Sequence, residues 1–163
     1  FWAFAWAGGQ GLARYILDNP AVVSGRNVVD FAAGSGLVGI AAKLAGAAHV
    51  TCADIDPFSG HAVSLNAALN KVSLQTVSEN LVGKAVQSDI LLAGDVFDDK
   101  QFAGELIPWF GHLSQQGVEI LIGDPGRSYL PKSRLEQLAA YDVPVTRALE
   151  DAEVKRTIVW RFI

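Results

Sequence analysis

Gly34-Ser35-Gly36-Leu37-Val38-Gly39 follows the spacing G-x-G-x-x-G, and an acidic residue, Asp54, lies 18 residues beyond Gly36. Glycines so spaced let a backbone turn sharply and approach a ligand beside a helix N-terminus. Taken alone, the pattern fits a dinucleotide and hence a nicotinamide-dependent oxidoreductase. Asp30 argues against that reading. It precedes Gly34 by four residues, inside the cradle, where a carboxylate repels a pyrophosphate. S-adenosyl-L-methionine has no phosphate, and its ammonium and sulfonium gain from a nearby acid. Asp30, Gly34, Ser35 and Gly36 therefore predict a cleft for that cofactor, with Asp54 accepting hydrogen bonds from ribose hydroxyls.

Further polar residues cluster at the ends of apolar runs. Glu79 and Asn80 are expected near an adenine edge. Asp95 directly follows Gly94 and is a site candidate, whereas Asp98 and Asp99 read as acids of a helix start. Asp56 before Pro57 reads as a helix cap. Asp124-Pro125-Gly126-Arg127 reads as a tight turn. Arg127 either pairs with Asp124 or Asp95, or fixes a loop facing the substrate. The aromatic residues Phe1, Trp2, Phe4 and Trp6 read as a hydrophobic clamp. Cys52 is expected to be packed within a strand.

Alternating elements must position these groups. Short apolar or β-branched runs predict strands over 27–31, 49–53, 72–78, 88–94 and 118–123. Helical spacing predicts helices over 37–45, 57–70, 102–113 and 131–141. Residues 143–149 and 154–162 predict a closing hairpin, joined through Glu150 and Asp151. Strands separated by helices imply parallel pairing with right-handed crossovers. The expected fold is α/β: a doubly wound, mostly parallel seven-stranded sheet, helices on both faces, and a C-terminal antiparallel hairpin. In such sheets ligands sit at the carboxyl ends of the strands, where the acidic clusters fall.

Composition narrows the function further. The 163 residues suit a single domain over 1–163, and 50% of them are hydrophobic against 18% charged. Mean hydropathy is +0.26, too apolar for a disordered chain. Charged residues interrupt every apolar run before the roughly 18 residues of a membrane span, so no membrane is expected. Net charge is −4, which disfavours nucleic acid as a partner because that affinity rests on neutralising phosphates. One cysteine and three histidines without ligand spacing predict no metal site and no intrachain disulfide. The expected location is a reducing compartment: cytoplasmic, or the mitochondrial matrix in a eukaryote. The chain starts at Phe1 without any Met, so an upstream segment is expected. The oligomeric state stays open.

A resemblance sharpens this picture. Asp30-Phe-Ala-Ala-Gly34-Ser-Gly36 resembles the D-x-G-x-G-x-G motif of seven-β-strand, Rossmann-like methyltransferases, with Ala32 at the first glycine position. The segments Phe1 to Gln10 (FWAFAWAGGQ), Ala53 to Pro57, Gly94 to Phe97 and Gly123 to Arg127 (GDPGR) resemble the electron transfer flavoprotein β-subunit lysine methyltransferases. The likeness extends from Phe1 to about Trp160. It implies S-adenosyl-L-methionine bound by Asp30, Ala32, Gly34, Ser35, Gly36, Asp54, Ile55 and Asn80, with Trp6 folding over it and the other N-terminal aromatics in the core. It implies that Asp95 faces a substrate lysine and that the flavoprotein β-subunit is the protein partner. The family pattern there is Asp-x-x-Tyr or Asp-x-x-Phe. This chain has Asp98 at the aromatic position, so either Phe97 supplies the aromatic wall or the wall is altered. A methyltransferase of this fold acting on another protein or a small molecule, and an inactive cofactor-binding module, are the alternatives.

Overall fold

The computed structural model describes residues 2–163. Helix α1 (Ala7–Asp18) leads into strand β1 (Asn27–Phe31), followed by α2 (Leu37–Leu44), β2 (His49–Ala53), α3 (Pro57–Leu69) and β3 (Gln75–Val77). Then come β4 (Ile90–Gly94), α4 (Lys100–Gln115), β5 (Glu119–Asp124), β6 (Leu135–Pro144), the single turn α5 (Arg147–Glu150) and β7 (Val154–Phe162).

The seven strands form one sheet in the order β3-β2-β1-β4-β5-β7-β6. The first five pair in parallel, and β7 runs antiparallel to both β5 and β6. The strand order reverses between β1 and β4, and a crevice opens at such a switch point.

Side-chain alternation along each central strand feeds two cores. In β4, Leu91 and Ala93 join Leu106, Phe110 and Leu113 of α4 on one face, while Ile90 and Leu92 join Leu12, Val38 and Val63 of α1, α2 and α3 on the other. Burial on both faces explains the uninterrupted apolar run Ile90 to Ala93. The doubly wound sheet and its C-terminal hairpin are thus as the sequence predicts.

Three elements differ from the sequence reading. Helix α1 has no counterpart in it, because Gly8, Gly9 and Gly11 lower helix propensity. Their smallness is used for packing instead: a Cβ on Gly8 would overlap the Gly123 carbonyl, and one on Gly11 would overlap the Thr157 side chain. The helix expected over 131–141 is a short 3-10 turn (Lys132–Arg134) and then strand β6. A bulge between Gln137 and Ala139 breaks the register against β7. Leu135 packs on the α4 side, whereas Ala139 and Tyr141 pack on the α1 side. The shift of face conceals the period of two and leaves a spacing that imitates a helix. The first hairpin strand consequently ends at Pro144, and residues 147–150 form α5 rather than strand.

Candidate active site

The glycine loop connects β1 to α2. Gly34 and Gly36 adopt left-handed φ of 56° and 85°, and Ala32 does so at 56°. That conformation is costly with a Cβ, which accounts for the glycine usual at the position of Ala32. Asp54 closes the loop from β2: its Oδ2 accepts the Gly34 amide at 2.8 Å and its Oδ1 the Asp56 amide at 2.9 Å. Asn66 of α3 donates to the Ser35 carbonyl at 2.9 Å.

Asp30 lies beneath this loop, 2% exposed, and its Oδ2 accepts the Gly39 amide at 2.8 Å. Burial pushes its carboxyl up to about 7, against the opposing hydrogen bond from Gly39. Burial and the neighbouring Asp30 likewise push up the Cys52 thiol, which is packed as expected. A Cβ on Gly39 would meet Cys52 Sγ at 2.5 Å, so the third glycine of the motif serves close packing of α2 on the sheet.

Three hollows that share lining residues lie along the strand ends. A central cavity of about 290 Å3 is bounded by Trp2, Trp6, Gly34, Asp54, Asp95 and Arg127. A small pocket of about 60 Å3 beside it reaches Asp30, Ala32 and Ser35. On the β3 side, a slot of about 300 Å3 lies between Ile55, Asn80, Leu81 and Phe102. The slot is apolar enough for a purine ring, and Asn80 turns its own loop by accepting the Val82 amide at 3.1 Å.

Asp95 stands at the end of β4 with φ of 57°. Its Oδ2 accepts the Gly9 amide at 2.9 Å, and its Oδ1 receives Arg127 Nη2 at 2.7 Å and Nε at 3.2 Å. Trp6, the N-cap residue of α1, gives no side-chain cap, so Asp95 supplies one from across the fold. Burial raises its carboxyl above the usual range, opposed by Arg127 and the amides of Gly9 and Gly8.

Arg127 is the centre of a charge network. Beyond Asp95, it forks onto Glu150 at 3.0 and 2.8 Å, and its guanidinium lies 6.0 Å from the centre of the Trp6 ring. Lys155 also donates to Glu150 at 2.8 Å. Burial works against the charged Glu150, but the bonds from Arg127 and Lys155 outweigh it and hold the carboxyl at about 2. Arg127 does not pair with the Asp124 side chain. Asp124 Oδ1 instead accepts the amides of Gly126 and Arg127, both at 2.7 Å, closing the turn that carries the guanidinium.

A scan against family models matches residues 13–96 to the ribosomal protein L11 methyltransferase family (PrmA). The electron transfer flavoprotein beta subunit lysine methyltransferase of Mus musculus is 37% identical over 169 residues, covering 99% of this chain and 66% of the mouse protein. That of Xenopus laevis is also 37% identical over 169 residues, covering 99% of this chain and 69% of the frog protein. The chain belongs to the electron transfer flavoprotein β-subunit lysine methyltransferase family. It spans about two thirds of the length of these relatives, 66% of the mouse protein. Among solved structures, magnesium protoporphyrin IX methyltransferase from Synechocystis PCC 6803 with bound SAM shares the fold at a TM-score of 0.65 and 14% identity, over 96% of this chain and 80% of that one.

Within this family fold, the residues singled out in the sequence fall into distinct places. Trp6, Ala32, Gly34, Asp54 and Asp95 share the central cavity; Ile55 and Asn80 line the slot; Asp30 and Ser35 reach the small pocket. Gly36 turns the loop and faces Val63 rather than a hollow. Phe97 is corrected. It is fully buried, with its ring edge-on to Phe110 at 6.2 Å, and it forms no wall of the cavity. Strand-end geometry turns Asp95 toward the cavity and sends Phe97 into the α4 core. Trp2 and Phe4 are corrected as well, since Trp2 lines the cavity and stacks on Phe58, while Phe4 is 47% exposed. Phe1 lies outside the described residues. Asp56 and Asp99 cap α3 and α4 as expected.

Sequence reasoning misses Glu150, Lys155 and Gln10. Gln10 Nε2 donates to the carbonyls of Ala5 and Pro144 at 2.7 and 2.8 Å, tying the N-terminal segment to the end of β6. Glu150 looks like a linker acid in the sequence, and only the sheet return of β7 brings it to Arg127. The GGQ and GDPGR segments are the available signal that distant pieces of chain meet at this site.

Proposed function

We propose that this chain transfers the methyl group of S-adenosyl-L-methionine to a protein lysine, with the electron transfer flavoprotein β-subunit as acceptor. The relatives that match nearly the whole chain carry that activity in their names, and a structural neighbour holds SAM. The observation that carries the reading is the charge of the cradle. Asp30, Asp54 and Asp95 surround the loop and central cavity, and the guanidinium of Arg127 is already bonded to two carboxylates. A pyrophosphate meets repulsion there, whereas a cationic cofactor is matched.

When bound, S-adenosyl-L-methionine supplies a methyl group already activated on a sulfonium. The protein's work is therefore to hold, orient and exclude water. Asp54 retains acceptor capacity for ribose hydroxyls beyond its two amide bonds. Ala32, Gly34 and Ser35 would line the backbone beside the amino acid portion, with Gly36 turning the loop, and Asp30 biases the pocket toward positive charge. Ile55 and Asn80 would receive the adenine. Trp6, braced by Arg127, covers the cavity. Asp95 and its neighbourhood would face the acceptor end, where the lysine must be present as the neutral amine to act as a nucleophile. We extend the same proposal to a reducing location, cytoplasmic or mitochondrial matrix.

Calorimetric titration with S-adenosyl-L-methionine and with NAD tests the cofactor; saturable heat with the first and none with the second is expected. Radiolabelled methyl transfer to purified flavoprotein β-subunit tests the acceptor, and label confined to other proteins would redirect the proposal to a different substrate.

A further inference from the structure

We propose that Asp98 is the residue that receives the acceptor lysine's ammonium and sets the preference for a cationic acceptor. The inference rests on the lysine acceptor proposed above and assigns the contact to a residue other than Asp95.

Several carboxylates face one cavity, and they differ in what they already hold. Asp54 holds the amides of Gly34 and Asp56; Asp56 holds the amide of Phe58; Asp95 holds the Gly9 amide and the Arg127 guanidinium, with its side chain only 10% exposed. Each already holds a backbone amide, and the remaining acceptor capacity of Asp54 is assigned above to ribose hydroxyls. Asp98 lines the same cavity, is exposed, and makes no side-chain hydrogen bond or ion pair among the described residues.

Its neighbours fix its direction. Phe97 is fully buried in the α4 core, and its carbonyl accepts the Tyr129 amide at 3.0 Å. Asp99 is spent as the cap of α4, accepting the Phe102 amide at 2.7 Å. Asp98, between two anchored residues, is left exposed on the cavity that Asp95, Val96 and Arg127 also line. Ile55 and Asn80 line the slot and not this cavity. An uncommitted carboxylate there attracts an ammonium without giving up an existing bond, whereas Asp95 would have to surrender Arg127 or Gly9.

The test uses the whole chain with flavoprotein β-subunit as methyl acceptor. Asp98→Asn is expected to raise KM for the acceptor about fivefold with kcat kept within about twofold, the pattern of lost uniform binding. Asp98→Glu should restore most of the loss, since it restores the charge. A second readout needs no turnover: n-butylammonium, a mimic of the lysine side chain, is titrated by NMR into the chain saturated with S-adenosylhomocysteine. The parent should show a saturable response that Asp98→Asn abolishes. If Asp98→Asn leaves both KM and the cation titration unchanged, the inference is overturned while methyl transfer stands. If the parent transfers no methyl to the β-subunit, that acceptor is wrong and the cation titration alone decides Asp98. Loss of cation binding in Asp95→Asn but not in Asp98→Asn would return the role to Asp95.

Discussion

The Asp95 carboxylate accepts the backbone amide of Gly9 at 2.9 Å, joining the end of β4 to the first turn of α1 across 86 residues. The contact is possible because Gly94 and Gly9 touch without side chains: a Cβ on Gly94 would come within 2.9 Å of Gly9 Cα. A carboxylate at a helix N-terminus satisfies orphan amides and opposes the helix dipole. The acid that the sequence marks for substrate thus also holds the helix that closes the cavity.

Asp95→Ala should therefore destabilise the chain even without ligand. It removes a buried partner from both the Gly9 amide and Arg127, a loss of about 2–4 kcal/mol on the scale of buried charged contacts. Thermal unfolding of the ligand-free chain should fall by several degrees, about 2–4 °C for each kcal/mol at this size. An unchanged midpoint would show that α1 is held by its apolar face alone.

Glu150 gives a prediction about acid. Its folded-state carboxyl lies at about 2 against an ordinary 4.5. A depressed value contributes stability that is present above the unfolded value and lost as pH falls from about 4.5 toward 2. The contribution is at most about 3 kcal/mol. Glu150→Gln should remove it, lowering stability at pH 7 and flattening the acid limb of a stability–pH profile followed by urea unfolding. An acid limb identical to the parent's would place the acid sensitivity elsewhere.

Asp30 behaves in the opposite sense. Burial raises its folded-state value to about 7 from 3.8, so the folded chain binds the proton more tightly than the unfolded one, and this group withdraws stability as pH rises from about 4 to 7. Asp30→Asn keeps an acceptor for the Gly39 amide and removes the buried charge. Stability at pH 8 should stay equal or rise, while affinity for S-adenosyl-L-methionine should fall. In the parent, affinity for that cation should increase between about pH 6 and pH 8 as Asp30 loses its proton. Calorimetry in buffers of different ionisation enthalpy measures the linked proton; no proton release on binding would remove Asp30 from the cofactor's field.

Much of this frame is legible in the sequence because it depends on local signals. The run Ile90 to Ala93, the left-handed glycines 34 and 36, and the cap at Asp56 announce strand, loop and helix within a few residues. What escapes a sequence reading depends on distance. Helix α1 contains glycines that only contacts with Gly123 and Thr157 explain. Strand β6 hides its alternation behind a bulge. Phe97 and Asp98 differ in whether they face core or cavity, and the packing of α4 against the end of β4 decides that. Glu150 reaches Arg127 only because β7 turns back along β5.

Two glycines in helices separate packing from propensity. Gly8 lies in the first turn of α1, and a Cβ there would overlap the Gly123 carbonyl and crowd Asp95. The obstructing atoms are backbone of β5 and a carboxylate held by Arg127, so neither yields cheaply. Gly8→Ala should cost about 1–3 kcal/mol, the range for forced overpacking, and should lift the segment that carries Trp6 away from the cavity. Gly104 lies within α4 and has no atom within 4 Å of its would-be Cβ. Gly104→Ala should stabilise by about 0.4–1 kcal/mol, through helix propensity and a less flexible unfolded chain. Urea unfolding of both variants measures the difference, and cofactor titration separates the site from the scaffold. Gly8→Ala should bind S-adenosyl-L-methionine more weakly at a temperature where it remains folded, whereas Gly104→Ala should bind like the parent. Equal stability of the two variants would mean that α1 can move off β5 at no cost, and a joint role for Asp95 and Gly9 in seating that helix would then be untenable.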